Sequence, residues 1–296
     1  MNECRLCPRN CMVDRTSGEV GYCLAPGSMV IARYSLHMWE EPCLSGSNGS
    51  GTIFFSYCNL RCIFCQNYEI STLHRGRIVS VDEFASVVME LQDKGASNIN
   101  LVTGVIYVPL IVKGIRKARD MGLSIPIVYN SGGYESVNTI KMLEGIVDIY
   151  LPDFKYYDNN LSQKYSSCSN YFECASSCIK EMYRQVGRPK FDNKGMMKRG
   201  VIVRHLILPG SLDDSKRVIK YLYDNYRDNI FISIMNQYTP LRYLEFEVLN
   251  RKLNDDEYDE IINYAYDLGV RKAFIQEGET QSESFIPDFS EFNCIK

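Results

Sequence analysis

The strongest constraint on the fold is an alternation of short apolar runs with segments of helical periodicity. Six runs have the length and the β-branched and aromatic content of strands: residues 52–56, 98–103, 126–130, 147–151, 201–208 and 229–235. Strands separated by helices are joined by crossover connections, which make the strands parallel. The pattern predicts an α/β chain with a partial (β/α)6, TIM-like barrel and residues 272–275 as a candidate seventh strand. A closed barrel would need eight strands.

Two helices carry recognisable end signals. Ser80 and Glu83 form the pattern of a capping box before a helix that runs to Leu91. Near the end of the chain, apolar residues recur at helical spacing from Tyr258 to Leu268, and Gly269 is placed to end that helix.

The chain divides into three segments on composition. Residues 1–45 form a cysteine-rich N-terminal extension, which ends at a Gly/Ser-rich stretch, LSGSNGSG at 44–51. Residues 46–245 carry the barrel pattern, and residues 246–296 extend it with a helix and a strand.

Charge and hydropathy exclude two classes of partner. The formal net charge is −3, and no basic patch is large enough to neutralise many phosphates, so nucleic acid is not expected as a main partner. The longest uncharged apolar run, residues 101–112, is shorter than the roughly 20 residues that a bilayer requires. The first residues lack the apolar core of a signal peptide. We therefore expect a cytoplasmic protein without a membrane partner.

Cysteine is the unusual residue in this composition. The chain has 12 cysteines, and seven of them lie in two tight groups. Because the cytosol keeps thiols reduced, clustered cysteines there indicate metal binding or catalysis before disulfides.

The central group lies in residues 56–67, SYCNLRCIFCQN, directly after the first predicted barrel strand. Cys58, Cys62 and Cys65 have C-x3-C-x2-C spacing, so three thiolates can converge on one metal centre. Three thiolates leave one iron of a four-iron cluster open, since such clusters normally take four cysteines. An open coordination position is typical of a working metal site and not of a structural one.

The second group lies in residues 1–23, which we call the head. Cys4, Cys7, Cys11 and Cys23 have C-x2-C-x3-C-x11-C spacing. Four thiolates can close a tetrahedral zinc site or hold a second [4Fe–4S] cluster, and the spacing does not choose between them. The alternative is four reduced or redox-active thiols without metal.

The central group resembles the radical S-adenosylmethionine (SAM) superfamily, whose hallmark is this spacing with an aromatic residue before the last cysteine, here Phe64. Longer stretches resemble the branch similar to pyruvate formate-lyase activating enzyme: HMWEEPCLSG (37–46), GSGTIFFSYCNLRCIFCQNYEIS (49–71), YLPDFKYYD (150–158), RGVIVRHLILPG (199–210) and ISIMNQYTP (232–240). The resemblance covers most of the chain up to about residue 240.

The resemblance implies a radical SAM oxidoreductase. Its [4Fe–4S] cluster would be held by Cys58, Cys62 and Cys65, which are also its catalytic residues. The open iron would bind SAM, an electron would cleave SAM to a 5′-deoxyadenosyl radical, and that radical would take hydrogen from a substrate. A flavodoxin- or ferredoxin-like protein would supply the electron. The substrate is not identified by the sequence, and a protein is one candidate.

The resemblance also implies a set of SAM-binding residues at the strand ends: Phe64, Thr103, Asn130, Asp153, Lys155 and Arg204. Two features depart from the family pattern. Residues 103–105 read Thr-Gly-Val where many radical SAM enzymes have a Gly-Gly-Glu-like turn, and the eight-cysteine ferredoxin insert of many glycyl-radical activases is missing. Both departures argue against a glycyl radical enzyme as the substrate.

Two other functions stay open on the residues alone. One is radical SAM modification of a small molecule or a peptide. The other is a non-catalytic iron–sulfur or zinc protein, which the missing fourth ligand of the central group disfavours because electron carriers normally close their coordination shell.

Overall fold

The computed structural model describes residues 3–276 together with residues 289 and 292. Within these residues the chain forms a ten-stranded sheet. The strands are β1 (Met29–His37), β2 (Ser50–Phe55), β3 (Arg77–Val79), β4 (Ile99–Val102), β5 (Ile127–Ser131), β6 (Ile149–Pro152), β7 (Lys190–Phe191), β8 (Met197–Leu206), β9 (Phe231–Met235) and β10 (Ala273–Ile275).

Helices connect these strands. They are α1 (Pro42–Ser45), α2 (Tyr68–Ser71), α3 (Val81–Asp93), α4 (Val108–Asp120), α5 (Val137–Lys141), α6 (Asn159–Ser166), α7 (Tyr171–Val186), α8 (Leu212–Tyr226) and α9 (Asp255–Leu268), with short 3-10 turns at Val105–Tyr107, Arg227–Asn229 and Glu247–Leu249. Among the helices of the described residues, none combines the length and the apolar character needed to cross a bilayer.

Seven parallel strands form the main part of the sheet. The order across the sheet is β10-β9-β8-β6-β5-β4-β2-β1-β3, and every pairing along this order from β10 to β2 is parallel. The remaining strand, β7, lies off this order and pairs antiparallel with β8. In the part of the chain that is described, β10 and β3 end the sheet without pairing with each other, so the barrel is partial. This confirms the predicted fold class, and the candidate seventh strand is present.

The central strands are buried on both faces, as parallel strands covered by helices should be. Every residue of β2, β4, β5 and β6 is buried. The helices cover the outer face, and α3 packs closely on α4 because Gly114 lets the ring of Phe84 approach: a Cβ at Gly114 would lie 2.2 Å from Phe84 Cδ1.

The predicted helix ends are confirmed. At the start of α3, Ser80 Oγ accepts from the Glu83 amide at 3.1 Å, and the Glu83 carboxylate accepts from the Ser80 amide at 2.7 Å. Gly269 ends α9 with φ of 104°, in the left-handed region that favours glycine.

Three strands that pair antiparallel were not predicted from the sequence, and they are β1, β3 and β7. β1 pairs with β2, and β3 pairs with β1. β1 lies inside the segment 1–45 that composition assigns to the extension, and it joins the sheet directly. The division of the chain at residues 45 and 245 stays a prediction.

Candidate active site

The loop of residues 56–67, which we call the cysteine loop, leaves the carboxyl end of β2. Functional loops of parallel barrels lie at this end. Tyr57 and Arg61 adopt left-handed backbone conformations, with φ of 71° and 63°, which are uncommon outside glycine. The Tyr57 ring stacks on His74 with centroids 4.2 Å apart. These contacts hold a tight, strained turn around the cysteines.

The three thiols of Cys58, Cys62 and Cys65, called the loop thiols below, are each oriented by a neighbouring donor. The hydrogen bonds run from Ser166 Oγ to Cys62 Sγ at 2.9 Å, from Ser71 Oγ to Cys65 Sγ at 3.3 Å and from the Leu60 amide to Cys58 Sγ at 3.4 Å. Burial raises the pKa of all three thiols, and that of Cys58 reaches about 11. A bound metal must therefore supply the positive charge that turns these thiols into thiolate ligands.

A cavity of about 530 Å³ opens beside the cysteine loop, a volume in the usual range of ligand sites. Cys62 and Cys65 lie in its wall with Phe64. The remaining wall comes from strand ends and from the segment between β1 and α1: His37, Trp39, Glu40, Glu41, Pro42, Phe54, Gln66, Asn67, Val102, Asn130, Asp153, Lys155, Arg204, Leu206, Ser233, Met235, Gln237, Ala273, Phe274, Ile275 and Gln276.

A network of charged side chains crosses the cavity wall. Lys155 Nζ lies 2.6 Å from one oxygen of Asp153, and Arg204 Nε lies 3.3 Å from the other. Arg204 also donates to Asn130 Oδ1 at 2.6 Å and to Glu40 Oε2 at 3.3 Å. Burial alone would raise the pKa of Asp153, but the two cations outweigh it and hold that pKa below its usual value. The network is thus charged, buried and directed at the cavity.

Two adjacent acids complete this wall and were not identified as site residues from the sequence. Glu40 accepts from Asn100 Nδ2 at 2.9 Å, and burial raises the pKa of both Glu40 and Glu41 although Arg204 opposes the rise. Glu41 is 8% exposed, and its Oε2 has no hydrogen-bond partner among the described residues. The stretch HMWEEP was visible in the sequence, but no pattern signalled that it reaches Arg204.

The other predicted SAM-binding residues lie at the same end of the sheet. The Phe64 ring packs edge-on against Tyr238 at 6.0 Å. Thr103 follows β4 with φ of 60°, a strained conformation for a β-branched residue, and its amide donates to the Asn130 carbonyl. Val102 and Asn130 lie in the cavity wall, and Thr103, which directly follows Val102, lies next to it. The roles of these residues stay predictions.

The four thiols of Cys4, Cys7, Cys11 and Cys23, called the head thiols below, lie together around a second, much smaller cavity of about 10 Å³. The head packs directly on the cysteine loop, because Arg9 Nε donates to the Asn59 carbonyl at 3.1 Å. The structure therefore brings both cysteine groups into neighbouring positions.

The loop thiols and the cavity fit a four-iron cluster with one open iron. The loop supplies three thiols, one fewer than such a cluster takes when its shell is closed. Among the residues described, no three His, Cys, Asp or Glu side chains are arranged to hold a single metal ion. The charged wall supplies partners for a zwitterionic ligand next to the loop thiols.

Comparisons with known proteins agree with this arrangement. Residues 52–184 match the family model of the radical SAM superfamily. An uncharacterized protein of Methanocaldococcus jannaschii is 29% identical over 271 residues, which cover 88% of this chain and 74% of that protein.

Two solved structures show the same fold at low sequence identity. HydG, a maturase of the [FeFe]-hydrogenase, aligns with a TM-score of 0.51 and 14% identity over 80% of this chain and 54% of HydG. Streptococcus suis SuiB, bound to the precursor peptide SuiA, aligns with a TM-score of 0.50 and 10% identity over 76% of this chain and 47% of SuiB. Residues 52–184 thus match a radical SAM domain, and such a domain implies a [4Fe–4S] cluster and SAM as cofactors.

Proposed function

We propose that this chain is an activating-enzyme-like radical SAM oxidoreductase that removes a hydrogen atom from its substrate. The observation that carries the proposal is the position of the loop thiols. They lie at the carboxyl end of a parallel barrel, with Cys62 and Cys65 facing a cavity of about 530 Å³ that has charged groups in its wall. A protein that only carries electrons would have no use for such a cavity.

The cluster would supply one electron for cleavage of the SAM carbon–sulfur bond, which releases the 5′-deoxyadenosyl radical. The protein's own residues bind and orient the reactant. Lys155 and Arg204 provide cations for a carboxylate, and Asp153 can accept hydrogen bonds from the amino group or the ribose hydroxyls, so the polar groups of SAM find partners once water is displaced. Phe64 offers an apolar face for the adenine.

The network also keeps its geometry without a ligand. Asp153 is held by Lys155 on one oxygen and Arg204 on the other, which fixes all three side chains in the wall. Because these partners are in place before binding, little reorganisation is needed when SAM enters. Asn130 accepts a hydrogen bond from Arg204 and so belongs to the same charge network.

The electron would come from a flavodoxin- or ferredoxin-like protein, and the substrate would be a protein, a peptide or a small molecule. The branch resemblance favours a protein substrate, whereas the missing ferredoxin insert argues against a glycyl radical enzyme.

The test is anaerobic incubation of the reduced protein with SAM and deuterated candidate substrates, followed by mass spectrometry of 5′-deoxyadenosine. We expect 5′-deoxyadenosine from SAM and deuterium in it when the correct substrate is present. The Cys62→Ala variant should form none, while Cys43→Ala, which removes a buried cysteine outside the loop, should behave like the parent. Equal turnover by Cys62→Ala, or no SAM cleavage by the reduced parent, would refute the proposal.

A further inference from the structure

A further cavity of about 460 Å³, which we call the side cavity, adjoins the cavity beside the cysteine loop, called the loop cavity below. The two cavities share five lining residues: Trp39, Glu40, Pro42, Gln237 and Gln276. The rest of the side wall is Met38, Ser45 and Gly46, and none of the loop thiols belongs to it. The side cavity therefore offers room for a second molecule next to one that is bound at the loop thiols.

The side cavity has an acidic wall. Among its lining residues, all in the described part of the chain, Glu40 is the only one with an ionisable side chain. The Glu40 carboxylate accepts from Asn100 at 2.9 Å and from Arg204 at 3.3 Å. Arg204 is also bonded to Asp153 and Asn130, so Glu40 has only a share of one cation.

Glu41 adds a carboxyl group that is compensated even less. It lies in the wall of the loop cavity and is 8% exposed, and its Oε2 has no hydrogen-bond partner among the described residues. His37 does not compensate it, because burial lowers the pKa of His37 to about 4 and leaves the ring neutral near pH 7. The loop cavity thus has three carboxyl groups in its wall but only two cations, Lys155 and Arg204.

SAM does not supply the missing cation at this end of the wall. Its carboxylate would compete for Lys155 and Arg204, which leaves the two glutamates with less compensation than before. Its sulfonium group must lie beside the cluster that reduces it, and no loop thiol lines the side cavity. Because buried carboxyl groups without a partner are costly, a further cation is what Glu40 and Glu41 lack.

The segment around Glu40 is ordered without a ligand and carries an aromatic side chain. Ser45 Oγ accepts from the Glu40 amide at 3.0 Å and donates to the His37 carbonyl at 3.4 Å, which fixes the turn between them. Trp39 lines both cavities and is 63% exposed. An aromatic face next to a carboxylate is a typical environment for ammonium and guanidinium groups.

We propose that the side cavity binds the substrate and that Glu40, together with Glu41, recognises a cationic group on it, an alkylammonium or a guanidinium group. The cation would fix one end of the substrate beside Trp39, and the rest would extend into the loop cavity, where the SAM-derived radical forms. A lysyl or arginyl side chain of a protein and a free alkylamine share this chemistry. The inference names the substrate class of the function proposed above and rests on that function.

Tryptophan fluorescence measures the binding without turnover, because Trp39 is the only tryptophan of the chain. The probes are acetyl-Gly-Lys-Gly-amide, its Gln and Glu counterparts, and n-butylamine, each added to the protein with oxidised cluster and bound SAM. We expect the lysyl peptide to bind about tenfold or more tightly than the glutaminyl peptide, since a hydrogen bond to a charged group is worth about this factor. The glutamyl peptide should bind most weakly.

The two sources of the cation are distinguished in the same titration. Butylamine that binds as tightly as the lysyl peptide would assign the site to small amines. Much weaker binding of butylamine would assign it to a protein substrate. Both results support recognition of a cation, whereas equal binding of the three peptides to the parent would overturn it. That comparison requires no variant to fold.

Glu40→Gln tests the assigned residue. The preference for the lysyl over the glutaminyl peptide should fall to less than about twofold, and a general loss of affinity cancels in this ratio. Asp93→Asn removes an exposed acid at the end of α3 and should keep the preference of the parent. An unchanged preference in folded Glu40→Gln would overturn the inference. A reduced parent that binds the lysyl peptide selectively but never cleaves SAM would instead refute the proposed function.

Discussion

Replacing Arg204 by Met removes the centre of the charge network in the cavity wall. Arg204 bonds to Asp153, Glu40 and Asn130 and its side chain is only 18% exposed. Removing one partner of a buried ion pair typically costs about 3–5 kcal/mol, because the other charge is left uncompensated. Two carboxylates lose a partner here, but Lys155 still binds Asp153, so we expect a loss of about 3 kcal/mol in the free energy of unfolding.

The loss should depend on pH in a defined direction. Burial already raises the pKa of Glu40 and Glu41, and Arg204 opposes that rise. Without the guanidinium both pKa values rise further in the folded state, while those of the unfolded chain do not change. The folded variant then binds more protons than the unfolded chain, so its stability falls as the pH increases above the ordinary glutamate range. The difference from the parent should be smallest at low pH.

Urea denaturation of the reduced, anaerobic protein at pH 5.5 and pH 8 measures both effects. Arg116→Met is the matched control, since Arg116 lies exposed on α4 and its loss should cost less than about 0.5 kcal/mol. The Arg204→Met variant should also bind SAM more weakly while keeping its iron. A loss at Arg204 no larger than that at Arg116, or a loss that is independent of pH, would refute the description of this network.

Three further changes test other parts of the structure. Burial raises the pKa of Glu135 to about 8, so the parent loses stability as the pH rises from the ordinary glutamate pKa of 4.5 to that value. In denaturant titrations, Glu135→Gln should therefore be more stable than the parent by up to about 3 kcal/mol at pH 7 and equally stable at about pH 4. Gly114→Ala places a methyl group against the ring of Phe84 and should lower the free energy of unfolding by about 1–3 kcal/mol, whereas an unchanged value would mean that α3 and α4 are farther apart than described. Ser80→Ala removes half of the capping box with Glu83 and should cost about 1 kcal/mol, with no change expected if the cap does not form.

Most of the sheet was predictable because its strands are short apolar runs buried on both faces. The seven parallel strands were all located from such runs, and the loop thiols were singled out by their spacing, by the strand before them and by the aromatic residue before the last cysteine. β1 was missed because MVIARYSLH precedes the alternating pattern and pairs antiparallel at the edge, where the crossover rule gives no information.

The chemistry of the cavity wall was only partly predictable. Asp153, Lys155 and Arg204 were identified because they end strands and match a family pattern. Glu40 lies 164 positions from Arg204 in the chain, and the contact between them depends on how α1 and its flanking loop enter the barrel. The unusual pKa of Glu135 was likewise invisible, because it results from burial behind α7 and not from any neighbouring sequence.

The central claim is that the loop thiols hold a cluster with one iron open to SAM. It is tested most directly by the EPR spectrum of the reduced protein with and without SAM. We predict that SAM changes the spectrum of the parent, because it binds to the open iron, and that this response disappears when Cys58, Cys62 and Cys65 are replaced by Ala. A parent whose reduced cluster gives the same spectrum with saturating SAM would contradict the account.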